Sequence, residues 1–302
     1  MRALTALLLV AGTAHAATHP FDFDDMARLG RLGDFDVSRD GKWVVYAVGR
    51  ADVEENKTTS ALWLLPVDRS QPARRLTAGT KKDHDPRFSP DGRRVAFVSD
   101  RDGTPQVWLL DLGGGEPQKL TALVEGAGAP IWSPDGKFLV AASEVWPECK
   151  DLACNQARHE RADKAKVKAR VAERLLFRHW DGWRDGKRNH LFRIDAATGE
   201  ARDLTPGNWD APPFSLGGGP DYDVAPDGKS LVYASNHDAV EATSTNSDVW
   251  ELSFADGKSR CLSCENKAWD GDARYSPDGK LVAWRAQKRP GFESDKFDLV
   301  VY

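Results

Sequence analysis

Hydrophobic and polar positions repeat along this chain in a fixed phrase: an apolar residue, a short turn built on Asp-Gly, then a β-branched or aromatic run. Phe88-Ser89-Pro90-Asp91-Gly92 leads into Arg93-Arg94-Val95-Ala96-Phe97-Val98. The phrase returns at Trp132–Gly136, Val224–Gly228 and Tyr275–Gly279, with a looser copy at Val37-Ser38-Arg39-Asp40-Gly41 before Trp43-Val44-Val45-Tyr46. Pro presets φ at the first corner, Asp bonds back to nearby N–H groups, and Gly accepts positive φ. Runs such as Phe138–Ser143 and Leu231–Ser235 then predict an inner strand, and a partner strand with an aromatic among aliphatics follows: Leu62–Leu65, Gln106–Asp111, Leu191–Asp195, Asp248–Leu252. A Leu-Thr element closes each unit, at Leu76-Thr77, Leu120-Thr121 and Leu204-Thr205, with Leu262-Ser263 in the fourth.

Repetition at this period predicts an all-β fold, a β-propeller with one four-stranded blade per phrase. The turn aspartates stand at 40, 91, 135, 227 and 278, so one gap, of 92 residues, is about a blade too long. Its excess lacks strand character. Ala157 to Phe177 is rich in Ala, Arg, Lys and Glu without Gly or Pro, which predicts a helix with Val167, Val171, Leu175 and Leu176 as its apolar stripe. Residues 144–188 are therefore expected to be a helical insertion in the third blade. After the fifth Asp-Gly only Leu281–Trp284 and Phe297–Tyr302 remain, a blade of two strands with unpaired edges. About five blades do not close a ring, so the expectation is part of a longer protein.

Composition adds an address. Arg2, the apolar run Ala3–Gly12 and Ala14-His15-Ala16 have the form of a cleavable signal peptide over 1–16, leaving 17–302 as a propeller outside the cytoplasm. The apolar run is too short to span a bilayer, and no later one is long enough. A net charge of −4 argues neither for nor against a partner, nothing suggests a nucleic-acid face, and eleven Trp and twelve Phe supply ample core. Cys149 with Cys154 and Cys261 with Cys264 form two close pairs, for which local disulfides are the natural assignment in an oxidising compartment. Cys261-Leu262-Ser263-Cys264 is also a zinc-type C-x-x-C, but no second such pair and no His-x-x-x-His accompanies it. Free thiols stay open for this second pair.

Catalytic chemistry is missing from the motifs. No G-x-S-x-G elbow occurs, and none of the seven His stands in an H-E-x-x-H. No phosphate loop precedes a helix. The repeated aspartates are turn formers, so neither metal nor cofactor is expected.

The Ser-Pro-Asp-Gly repeats behind a signal peptide resemble two families: TolB-type periplasmic propellers and the N-terminal propellers of prolyl oligopeptidase family serine peptidases. Arg285–Glu293, Arg178–Trp183 leading into His190-Leu191-Phe192, Asn266–Asp270 and the opening Phe21–Leu29 resemble the dipeptidyl-peptidase 5 and acylaminoacyl-peptidase-like branch of the second. That resemblance implies a seven-bladed propeller over a C-terminal α/β-hydrolase domain carrying the Ser-Asp-His triad. The hydrolase domain is then this chain's partner and short peptides its substrates, with homo-oligomers allowed. No triad residue maps onto this sequence, and the chain alone is expected to be inactive. The resemblance also implies that propeller elements hold the peptide's N-terminal end. Glu173, Asp181 and Asp185 are the acidic candidates for the amine, and His179 and Trp180 the candidates for the pocket wall. The alternative is a stand-alone TolB-like binding propeller without catalysis.

Overall fold

The structure is a computed structural model and describes residues 19–173, 175–179, 182–213 and 220–302. Helix α1 (Phe23–Arg28) opens the described chain under a capping box, with Asp22 accepting from the Asp25 N–H and Asp25 from the Asp22 N–H. Blade 1 contains β1 (Arg31–Val37), β2 (Trp43–Asp52), β3 (Lys57–Pro66) and β4 (Arg74–Arg75). Blade 2 contains β5 (Asp83–Phe88), β6 (Arg94–Ser99), β7 (Gln106–Asp111) and β8 (Gln118–Lys119). Blade 3 starts with β9 (Gly128–Trp132) and β10 (Phe138–Val145). Helix α2 (Leu152–Lys164) and a hairpin of β11 (Arg178–His179) with β12 (Gly182–Trp183) intervene before β13 (Arg188–Asp195) and β14 (Ala201–Asp203) complete it. Blade 4 contains β15 (Tyr222–Val224), β16 (Ser230–Ser235), β17 (Asp248–Ser253) and β18 (Ser259–Cys261). Blade 5 contains β19 (Asp270–Tyr275), β20 (Val282–Ala286) and β21 (Asp298–Val301).

All pairings within the blades are antiparallel, and each blade's first strand packs against the first strands of its neighbours. The innermost strand is therefore the one before each Asp-Gly turn. The apolar run after the turn is the second strand, not the inner one as its hydrophobicity suggested, because it is buried between blades on both faces. This also corrects the last blade, which has three strands rather than two: β19 precedes its turn. The core lies between blades, with Phe97, Leu139, Phe192, Tyr222 and Leu231 each fully enclosed.

Two repeated side-chain devices shape the blades. In four turns the Ser hydroxyl donates to the Asp two residues on, at 2.6–2.7 Å, and that carboxylate accepts the N–H beyond the Gly. The closing hydroxyl of each Leu-Thr element accepts a third-strand N–H: Leu62 to Thr77, Val107 to Thr121, Leu191 to Thr205 and Val249 to Ser263, at 2.9–3.0 Å. The fourth strand is too short to hold its edge by backbone bonds alone, and the hydroxyl extends the pairing. Thr121 also donates to the Gln106 side chain at 2.6 Å. Thr121→Val leaves the buried Val107 N–H without its acceptor and removes one of the two donors to Gln106, and urea unfolding should show a loss of about 2 kcal/mol.

The Asp-Gly turns all leave one face of the arc. Loops between second and third strands, and those joining blades, leave the other. The insertion belongs to the second set, and its strands pair fully from Phe138 with Asp195 to Val145 with Arg188. Residues 146–187 are thus the insertion proper, and Glu144 and Arg188 belong to the blade.

The insertion's helix lies earlier in the chain than its composition suggested. Asp151 caps α2 by accepting from the Cys154 N–H at 2.7 Å, and the helix ends at Lys164. Beyond it, Lys164 with Lys168 and Lys166 with Arg170 would place like charges one turn apart. The Lys168 ammonium instead donates to the Ala162 and Asp163 carbonyls at the helix end. Among the described residues the expected stripe finds no cover: Val167, Val171 and Leu175 are 75%, 87% and 65% exposed. Without a buried face, helix propensity alone does not carry the segment. Disulfides join Cys149 to Cys154 at the base of α2 and Cys261 to Cys264 at the end of β18, so neither pair is free for a metal.

Candidate functional site

The insertion folds over the loop face and borders an open cavity of about 1090 Å³ between itself and the rims of blades 3 and 4. Its floor consists of ion pairs drawn from distant segments. Glu125, in the loop entering blade 3, accepts from Lys187 and pairs with His159 of α2, each at 2.7 Å. Lys187 also reaches Glu144, at 2.9 Å. Burial opposes the charge on both partners, yet the mutual hydrogen bonds win. They hold Glu125 below the usual carboxylate range and Lys187 above the usual ammonium range.

A second network lies beside the first. Arg184 and Arg188 both pair with Asp210, and Arg188 also reaches Glu241 at 2.6 Å. Asp210 accepts the Asn189 N–H at 2.8 Å, tying the loop after blade 3 to the start of β13. These side chains are only 12–22% exposed. The walls are aromatic. Phe177 stacks on Trp183 at 6.2 Å, Arg170 lies 4.9 Å over Trp183, and Arg158 lies 5.1 Å over Trp146.

Glu173 and Asp185 both line this cavity. Asp185 is committed to Arg170 at 2.8 Å, whereas Glu173 is exposed and has no ion-pair partner among the described residues. His179 pairs through its backbone with Gly182; Trp180 and Asp181 lie outside the described residues. Glu125, Asp210 and Glu241 were not foreseen, since each comes from a separate loop with no local motif. Only the Arg184–Arg188 stretch signalled them. Among the described residues no serine hydroxyl bonds a histidine, and every cysteine is in a disulfide.

The fold is a β-propeller, and residues 36–157 match the family described as TolB beta propeller domain. Residues 175–289 match the dipeptidyl peptidase IV N-terminal region. Dipeptidyl-peptidase 5 of Porphyromonas endodontalis is 30% identical over 277 residues, covering 90% of this chain and 39% of that protein. The Porphyromonas gingivalis dipeptidyl-peptidase 5 is also 30% identical, over 90% of this chain and 40% of that protein. The solved acylaminoacyl peptidase of Pyrococcus horikoshii superposes with a TM-score of 0.65 at 18% identity, over 93% of this chain and 39% of that one. The chain is the propeller part of a prolyl oligopeptidase family member, in the dipeptidyl-peptidase 5 and acylaminoacyl-peptidase-like branch. It spans about two fifths of the length of the curated relatives it matches.

Proposed function

We propose that this propeller restricts access to the active site of a secreted or periplasmic serine exopeptidase of dipeptidyl or acylaminoacyl type. An α/β-hydrolase domain beside it supplies the nucleophile and oxyanion hole for acyl transfer to serine and then to water. The observation that carries this reading is the likeness to dipeptidyl-peptidase 5 along nine tenths of the chain, with the insertion's cavity on the loop face. The signal-like Arg2–Ala16 segment and two disulfides support an extracytoplasmic address.

Within the cavity, Glu173 is the group for the peptide's N-terminal amine, since Asp185 already holds a guanidinium. Assays on the complete gene product with dipeptidyl and acylated-amino-acid chromogenic substrates test this. Release sensitive to a serine-directed inhibitor is expected from the complete product and not from the 302-residue chain. Glu173→Gln should raise KM for free-amine substrates about tenfold with kcat little changed, the mark of lost ground-state binding. No turnover by the complete product would favour a binding propeller without catalysis. An unchanged KM would remove Glu173 from the site.

A further inference from the structure

The junction of blades 4 and 5 buries more negative charge than its protein partners balance. Asp248 at the start of β17 is 4% exposed and Asp270 at the start of β19 is 1% exposed. Asp248 accepts from the Ser263 hydroxyl and the Asn246 amide, both at 3.2 Å. Asp270 accepts from the Trp284 indole at 2.7 Å and the Asn266 amide at 2.8 Å. All four donors are neutral. Among the described residues neither carboxylate has an ion-pair partner. The nearby Lys267 ammonium donates to the Cys264 carbonyl at 2.6 Å and acts on Asp248 through its field alone, without direct contact.

The junction of blades 1 and 2 serves as an internal control. It has the same parallel bridge, Ser60 with Lys82, as Ser247 with Trp269 here. Ala61 stands where Asp248 does, so Asp83, the counterpart of Asp270, is the only carboxylate of the pair. The Arg101 guanidinium neutralises it at 2.9 Å. Blades 4 and 5 therefore carry two carboxylates where blades 1 and 2 carry one carboxylate and one cation.

Two further oxygens at this junction lack partners. Asn246 is 6% exposed and Ser247 3%, and among the described residues neither the Asn246 carboxamide oxygen nor the Ser247 hydroxyl has a hydrogen-bond partner. Buried polar atoms are nearly always satisfied, so these point to something more in the site. The Asn246 amide lies between Asp248 and Asp238, donating to both at 3.2–3.3 Å. A half-turn of the carboxamide, neutral in shape, presents its oxygen to the same two carboxylates. A water satisfies oxygens but leaves the charge.

We propose that Asp248, Asp270, Asn246 and Ser247, with Asp238 at the mouth, bind a hard divalent cation of the calcium class at the junction of blades 4 and 5. Carboxylate, carboxamide and hydroxyl oxygens are the donors such an ion takes. The Cys261 and Cys264 sulfurs also lie beside Asp248, but as a disulfide they are not thiolate ligands. A cation here would fix the loop between β16 and β17, and with it Glu241 on the cavity rim.

Terbium, a luminescent stand-in for calcium, tests the site in the chelator-treated 302-residue chain, because Trp284 touches Asp270 and can sensitise it. The expected result is saturable emission on indole excitation, displaced by calcium. Asp248→Asn should weaken binding at least tenfold, Asp238→Asn should weaken it less, and Asp68→Asn on the opposite face should leave it unchanged. Calcium should also raise the melting temperature of the parent chain more than that of Asp248→Asn. If Asp248→Asn does not fold, the exposed Asp238→Asn decides. Emission that calcium does not displace, or that both folded variants retain in full, would overturn the proposal.

Discussion

Asp210→Ala should cost about 3 kcal/mol of folding stability, read as a lower urea midpoint by tryptophan fluorescence. Asp210 is the shared partner of Arg184 and Arg188, and its side chain is only 12% exposed. Removing it leaves Arg184 without an acid and Arg188 with Glu241 alone, while the Asn189 N–H loses its acceptor. Breaking a buried pair from one side typically costs 3–5 kcal/mol, and the remaining Glu241 contact sets this case at the lower end. Asp210→Asn, which keeps an acceptor for Asn189, should fall between the two. The cost should be accompanied by faster proteolysis within residues 146–187, because Arg184 anchors the insertion to the loop after blade 3. An Asp210→Ala chain within 1 kcal/mol of the parent would show that the insertion is held by other contacts.

The blades were legible because their determinants are local. Ser133, Asp135 and Gly136 make a turn with each other, and Thr121 reaches a strand only one hairpin away. Such interactions recur with the repeat and leave a visible phrase. What failed were inferences about burial. The run after each turn looked like an inner strand because both its faces are apolar, yet that pattern reports only packing between two blades. Val167, Val171 and Leu175 looked like a helix stripe because their spacing is helical. Spacing does not reveal whether a surface exists to receive them, and among the described residues they stay exposed. The cavity was legible only in part. Asp185 and Arg184 stood out in a dense aromatic and charged stretch, but Glu125 and Glu241 reach their partners Lys187 and Arg188 from 62 and 53 residues away, through the stacking of strands and blades.

The inner strands predict an unusual pH response. Asp221, just before β15, accepts the Asp272 N–H of blade 5 at 2.6 Å and lies so close to the chain that a Cβ on Gly271 would come within 2.8 Å of its carboxylate. Burial pushes its carboxyl up to about 6, against the opposing pull of that backbone hydrogen bond. Asp36 and Asp223, which accept from Phe88 and Tyr275 of the next blade, are raised by burial as well. A carboxyl raised in the folded state favours folding while the unfolded chain is still protonated. That contribution is complete below about pH 4 and is lost as pH rises through about 6. A shift of this size corresponds to about 3 kcal/mol for Asp221. Asp221→Asn removes the titration while keeping an acceptor for Asp272. It should therefore leave stability near pH 4 almost unchanged and raise it at pH 8 by up to about 3 kcal/mol, flattening the profile between them. Equal shifts at both pH values would mean that Asp221 stays ionised in the folded chain, stapling blades 4 and 5 as a charge.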